Sequence, residues 1–194
     1  MKKQRLMSLI LVLGILFSLL CACGGSQEDV LPETPGVQLW HAYNTENLLQ
    51  DIAYPELAES RDYTLRMYGI RGDVESVQLM ITPENVVYEF EFGMQDLTGP
   101  EGATLSEDQF EVYAQWYVYV DNTYNSNSYY GYYPDALVPM MNMKQLDENR
   151  IEPGQNQGIW LNLNIPEDAV AGQYSGCGIL TLDSQTYEIP VEVT

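Results

Sequence analysis

The chain has 194 residues, with 28 acidic side chains against 8 basic ones and a formal charge of −20. A surface of that sign repels polyanions, which makes nucleic acid, acidic polysaccharide and anionic headgroups poor partners and leaves neutral glycans, cations and basic proteins open. One histidine and three cysteines are too few to build zinc or iron sites of the ordinary ligand types.

The N-terminal segment reads Met1-Lys2-Lys3-Gln4-Arg5, then an apolar run from Leu6 to Leu20, then Cys21-Ala22-Cys23-Gly24. Positive residues, an apolar stretch too short for a comfortable bilayer span, and small residues before a cysteine describe an export signal over residues 1–22. The alternative, an uncleaved membrane helix, fits the short run and the small-residue site less well. Leu20-Cys21-Ala22-Cys23 resembles the bacterial lipobox, which makes Cys23 the lipidated N-terminus and places the protein on the outer side of a membrane. Cleavage removes three basic residues and no acid, so the formal charge of the mature chain is −23. Cys177 is then the one thiol left, no intrachain disulfide is possible, and its strand-like setting predicts a small buried side chain.

Residues 24–36, polar and bearing Pro and Gly without a hydrophobic period, read as a flexible tether spanning ~20 Å. From Val37 to Thr194 the pattern is that of one all-β domain. Thr45–Ile52 is the one stretch that reads as a short helix, capped by Asn44 or Thr45. Val77, Leu79 and Ile81 share a strand face, and a second strand over Val86–Phe92 follows the break at Pro83-Glu84-Asn85. The longest alternation runs from Phe110 to Val120. It sets Phe110, Val112, Ala114, Trp116, Val118 and Val120 inward, with Glu111, Tyr113, Gln115, Tyr117 and Tyr119 opposite. Asp121–Asp135, rich in Asn, Ser and Tyr, reads as a loop. Ile159, Leu161, Leu163 and Ile165 face inward on the next strand. Gly172–Leu182 follows, and then Thr186–Val193 with Tyr187, Ile189, Val191 and Val193 inward. The architecture predicted is an antiparallel β-sandwich with one short helix near the N-terminal end, a β-barrel being the lesser option.

Chemistry is sparse. His41, between Trp40 and Ala42, reads as a structural residue. The chain lacks a G-x-S-x-G elbow and a Gly-rich phosphate loop. The acidic pairs Glu107-Asp108, Asp147-Glu148 and Glu167-Asp168 arise from composition, and nothing in their spacing supplies the fixed, partly dry carboxyl pair of a glycosidase. Asp121–Asn127 offers oxygen atoms but not EF-hand spacing, and turn formation explains those residues equally well. No catalytic residue, metal site or cofactor is expected. Tyr129, Tyr130, Tyr132 and Tyr133 could stack on sugar rings or pack onto a partner.

Three segments resemble one known domain. Gly72-Asp73-Val74-Glu75-Ser76-Val77-Gln78-Leu79 is similar to an Asn-Glu-x-Glu-Ser-x-Gln strand in the N-terminal domain of glycoside hydrolase family 123. Tyr133–Pro139 is similar to its Pro-Asp-x-Leu-x-Pro segment. Gly154, Asn156 and Trp160, followed by Pro166, Gly172, Tyr174 and Gly176, resemble its ending. Gly72-Asp73 departs from the usual Asn-Glu. The resemblance implies a β-sandwich that precedes a (β/α)-barrel holding a catalytic Asp-Glu pair for N-acetylgalactosaminides. The sequence reaches Thr194 where the resemblance would place the start of that barrel, so the expectation is that the catalytic pair has no counterpart among these residues. The resulting expectation is a membrane-anchored, non-catalytic accessory sandwich for carbohydrate processing, split or shortened from its barrel. A free-standing module for neutral glycans and an envelope protein-interaction domain are the alternatives.

Overall fold

The computed structural model describes residues 31–121 and 130–194. The export segment, Cys23, most of the tether, and Tyr129 with the Asn-rich stretch before it lie outside the described residues. Glu33–Thr194 form one compact unit.

In chain order its elements are β1 (Val37–Tyr43), α1 (Pro55–Ser60), β2 (Leu65–Met67), β3 (Val74–Pro83), β4 (Phe90–Met94), β5 (Leu97–Thr98), β6 (Thr104–Leu105), β7 (Phe110–Val120), β8 (Gly131–Pro139), α2 (Met140–Gln145), β9 (Gln157–Asn164), β10 (Tyr174–Leu182) and β11 (Gln185–Val193). The strands fall into two sheets rather than one closed wall, so the sandwich holds and the barrel does not. The first sheet has the order β1-β3-β9-β7-β8 and is antiparallel throughout. The second runs β2-β11-β10-β5-β6, with β4 also paired to β10, and its β2–β11 pair is parallel.

Period-two alternation builds the core. Leu79 and Ile81 of β3, Ile159, Leu161 and Leu163 of β9, and Ala114 of β7 are buried, as are Leu180, Ile189 and Val191 from the second sheet. Removing such side chains from water is the main favourable contribution to folding, at ~1.5–3 kcal/mol for each large apolar residue. The first sheet also buries part of its outer face. There Trp40, Ala42, Leu48 and Met80 form a cluster against which Tyr54, Leu57 and Ala58 pack, so the 44–60 segment is a lid on part of that face.

Several expectations change. Thr45–Ile52 forms turns, and the helix lies at Pro55–Ser60. Long-range bonds claim the backbone groups that a helix would use, because the Leu49 and Ile52 carbonyls accept from Asn156 Nδ2 and Gln50 N–H donates to the Tyr132 carbonyl. Pro55 then supplies a pre-set helix start. The second helix, α2, has no counterpart in the sequence reading. The predicted 121–135 loop is a strand from Gly131 onward, with Pro134 inside the edge strand β8, where a missing N–H breaks no ladder. The strand expected over Val86–Phe92 starts only at Phe90, since Val87 bridges Ile151 instead.

The β7 alternation holds to Ala114 and then fails. Pairing with β9 ends at Ala114, and the β7–β8 register shifts between Trp116 and Tyr117. Beyond that point Trp116 is 37% and Val118 42% exposed, while Gln115 keeps to the outer side as expected but is buried there, bonded to Gln78 and Tyr117. Cys177 is half-buried on the outward side of β10, where its thiol donates to Gln95 Oε1 at 3.1 Å, rather than sitting in the core.

The departure at Gly72 has a backbone explanation. Its φ is +77°, a left-handed position that glycine and asparagine adopt most readily, and its N–H donates to the Ile165 carbonyl. A Cβ there would stand 3.3 Å from Glu167 Cγ, so glycine suits this turn on both counts.

Candidate functional site

The residues behind the first and last motif segments meet on the outer face of the first sheet. Gln78 and Trp160 are directly opposed across β3–β9, as are Ser76 and Asn162. Trp160 in turn faces Tyr113 across β9–β7, and Asn162 faces Glu111. Gln115 is paired with Leu137 of β8. Opposed residues share a face, so this is one continuous surface of amide, aromatic and carboxylate groups.

Beneath it runs a buried amide ladder. Gln78 Nε2 donates to the carbonyls of Tyr43 and Glu46, and Gln78 Oε1 accepts from Gln115 Nε2 at 2.6 Å. Gln115 Oε1 accepts from the Tyr117 hydroxyl at 3.1 Å, and that hydroxyl accepts from Gly158 N–H at 3.0 Å. Burial pushes the Tyr117 phenol well above its ordinary range, which keeps it a donor. Each buried polar group on this path has a partner, so the ladder fixes the 43–46 loop to the sheet without an unpaired cost.

The loop is braced a second time. Arg61 makes a two-pronged contact with Glu46, at 2.6 and 2.9 Å, and Tyr43 N–H donates to the same carboxylate at 2.8 Å. The Arg61 hydrogen bond holds the Glu46 carboxyl below its ordinary value. Asn156 anchors the next residues, donating to the Leu49 and Ile52 carbonyls and accepting from Thr82 Oγ1 at 2.8 Å.

Between the 44–47 loop and the 134–137 stretch of β8 lies a cleft of about 340 Å³, with Gln115 and Trp160 among its lining. Trp160 is half-buried. Its indole N–H donates to Asn162 Oδ1 at 2.7 Å, and Ser76 Oγ donates to the same oxygen at 2.7 Å. Asn162 Nδ2 and the Tyr113 hydroxyl both donate to Glu111 Oε2 at 3.2 Å. Partial burial, then the Glu111 carboxylate, raises the Tyr113 phenol, which stays protonated at neutral pH. A second hollow of about 330 Å³ lies between Pro83 and Leu182. Its carboxylate, Asp183, is already engaged by the Tyr88 and Glu89 amides.

Of the four tyrosines singled out in the sequence, Tyr129 lies outside the described residues. Tyr130 and Tyr132 are exposed, while Tyr133 is half-buried. Tyr132 and Tyr133 are successive strand residues and point to opposite faces. Tyr132 instead contacts Tyr119 of β7, ring centroids 5.1 Å apart. His41 takes the structural position expected of it, with Nδ1 2.8 Å from the Asp62 carbonyl. Among the described residues no group of His, Cys, Asp and Glu side chains gathers as metal ligands would.

Sequence reasoning missed Trp160, Asn162, Gln115, Glu111 and Tyr113 as one site. The available signal was an aromatic residue, Trp160, on the polar side of a strand whose other side is Ile159, Leu161 and Leu163.

A search of curated proteins finds no match. Among solved structures, a family 123 glycoside hydrolase from Clostridium perfringens, described for glycolipid glycan hydrolysis, superimposes with a TM-score of 0.65 at 17% identity. That alignment covers 81% of this chain and 27% of the hydrolase, so the chain spans about a quarter of that protein's length and the likeness shows the fold. AvmM, a macrocyclization catalyst of alchivemycin A biosynthesis, aligns over 84% of this chain and 95% of its own at 8% identity, but its TM-score of 0.36 carries no argument. The family model for the glycoside hydrolase 123 N-terminal domain matches residues 50–181, a span that runs from the lid over the first sheet to the end of β10. On that match the chain belongs to the glycoside hydrolase 123 N-terminal domain family.

Proposed function

We propose that this protein is a membrane-anchored, non-catalytic accessory domain that serves a family 123-like glycoside hydrolase in carbohydrate processing. The observation that carries this reading is the match of residues 50–181 to the N-terminal domain of that family. In this reading, hydrolysis belongs to a catalytic barrel, in the same or another polypeptide, and the sandwich positions substrate or barrel near the membrane. The polar groups of the outer face support a holding role. Glu111 is engaged by Asn162 and Tyr113, and Glu46 by Arg61, whereas a glycosidase pair needs one carboxyl raised and free to give a proton. The lipobox-like sequence ending at Cys23 supports the anchor.

Hydrolysis tests the reading directly. The purified chain should release no product from a chromogenic N-acetylgalactosaminide, and a family 123 barrel should turn over membrane-displayed glycans faster in its presence. Product from the chain alone would sink the non-catalytic part. An unchanged barrel rate would sink the accessory part.

A further inference from the structure

We infer that the cleft beside Trp160 binds a neutral pyranose ring, an inference that rests on the accessory reading above. Its volume of about 340 Å³ lies at the lower end of small-molecule sites, which run from roughly 300 to 1,000 Å³, and suits a ligand of one or two sugar units better than a protein segment.

The chemistry of the lining narrows the ligand. A pyranose has one face of C–H groups and a rim of hydroxyls, each a donor and an acceptor. The half-buried Trp160 ring meets the first requirement, because an aromatic face packs on an apolar ring face. Its plane is set in advance: the indole N–H is spent on Asn162 Oδ1, which Ser76 Oγ holds from the other side. A fixed ring loses little freedom on binding. Asn44, Thr45, Asn47 and Asp135, all exposed at the cleft, supply amide, hydroxyl and carboxylate groups for the hydroxyl rim. The loop that carries three of them is braced by the Gln78 ladder and the Arg61–Glu46 pair.

Charge decides between sugar classes. No Lys, Arg or His lines the cleft. Glu46 is neutralised by Arg61, and the remaining carboxylate, Asp135, would face an anionic sugar without a counter-charge. Uronic and sialic acids are therefore rejected and uncharged rings admitted. The site differs from the tyrosine cluster at Tyr130 and Tyr132, which lies further along the β7–β8 hairpin.

The test is a glycan array of neutral and acidic oligosaccharides probed with the full chain, followed by titration of each hit through tryptophan fluorescence. Neutral glycans should bind and acidic ones should not. Trp160→Ala and Asn47→Trp should each weaken binding by about tenfold or more. A Tyr130→Ala/Tyr132→Ala double variant should stay within about twofold. Trp160→Ala could disturb the sheet, so Asn47→Trp, which fills the cleft from an exposed loop and removes nothing from the core, decides the matter once its melting temperature equals that of the parent. Retained binding in Asn47→Trp, loss confined to the tyrosine variant, or an array blank for neutral glycans overturns the site. So does protection of the Trp160 fluorescence by a family 123 barrel and by no glycan, which would make the cleft a protein-docking surface. The barrel-rate assay reads the accessory role separately, so a failed cleft and a failed accessory domain give different results.

Discussion

Gly158 lies under the Gln115 amide, and a Cβ built there would stand 2.0 Å from Gln115 Oε1. Gln115 cannot swing aside freely, because both ends of its amide are bonded to Gln78 and Tyr117. Gly158→Ala should therefore cost about 1–3 kcal/mol, the range for overfilling a packed site, seen as a lower urea midpoint. A midpoint equal to that of the parent would mean that the ladder is not rigid. The Arg61–Glu46 pair makes a prediction about pH. Its hydrogen bond holds the Glu46 carboxyl below the ordinary value of 4.5, so the folded state releases that proton more readily than the unfolded chain. The stabilisation is present above about pH 4.5 and is lost as pH falls through the lower folded-state value. Melting temperatures of the parent and Arg61→Gln should differ at pH 6 and converge towards about pH 3. A constant difference would show that the pair does not titrate with folding.

At the scale of elements, the β10–β11 hairpin turns at Asp183, whose φ is +52°. Its carboxylate accepts from Tyr88 and Glu89 N–H at 2.9 and 3.0 Å, and its own N–H donates to the Glu89 carbonyl at 2.8 Å. One residue thus closes a hairpin and fixes the entry to β4. Asp183→Ala removes both acceptor contacts, should destabilise by about 1–3 kcal/mol, and should be largely rescued by Asp183→Asn. Calorimetry on the pair would settle it.

Strands were legible in the sequence wherever one face is buried along their whole length. Leu79 and Ile81, or Ile159, Leu161 and Leu163, are set by alternation alone. Trp116 and Val118 carry the same pattern but are exposed beyond the end of the β7–β9 pairing at Ala114, and alternation cannot report where a pairing ends. Thr45–Ile52 shows the other limit: its local pattern suits a helix, but Asn156 and Tyr132, both distant in sequence, bind its backbone. The cleft was illegible for a related reason. Asn47, Gln115, Leu137 and Trp160 come from four separate segments, and only the strand order brings them together. The family-like residues Gln78 and Trp160 were visible, but not that they stand opposite each other.

For the whole molecule, the proposed cleavage before Cys23 would leave a formal charge of −23, and the proposed acyl anchor would have to outweigh it at an anionic membrane, each buried methylene contributing ~0.8 kcal/mol to retention while the surface repels the acidic domain. The proposed anchor predicts that Cys23→Ser moves the protein from the membrane fraction to the soluble one. Retention of the variant in the membrane fraction would refute lipidation at Cys23. The border of the first sheet on the β8 side has its own bearing on self-association. Pro134 and Pro139 remove two amide donors from that edge strand, and Asp51 Oδ1 takes up the Tyr132 N–H at 3.3 Å. An incoming strand finds few hydrogens to bond along this border. Neighbouring copies are thereby discouraged from stitching their sheets together into fibres here, and a partner that engages this side must do so through side chains rather than by extending the sheet.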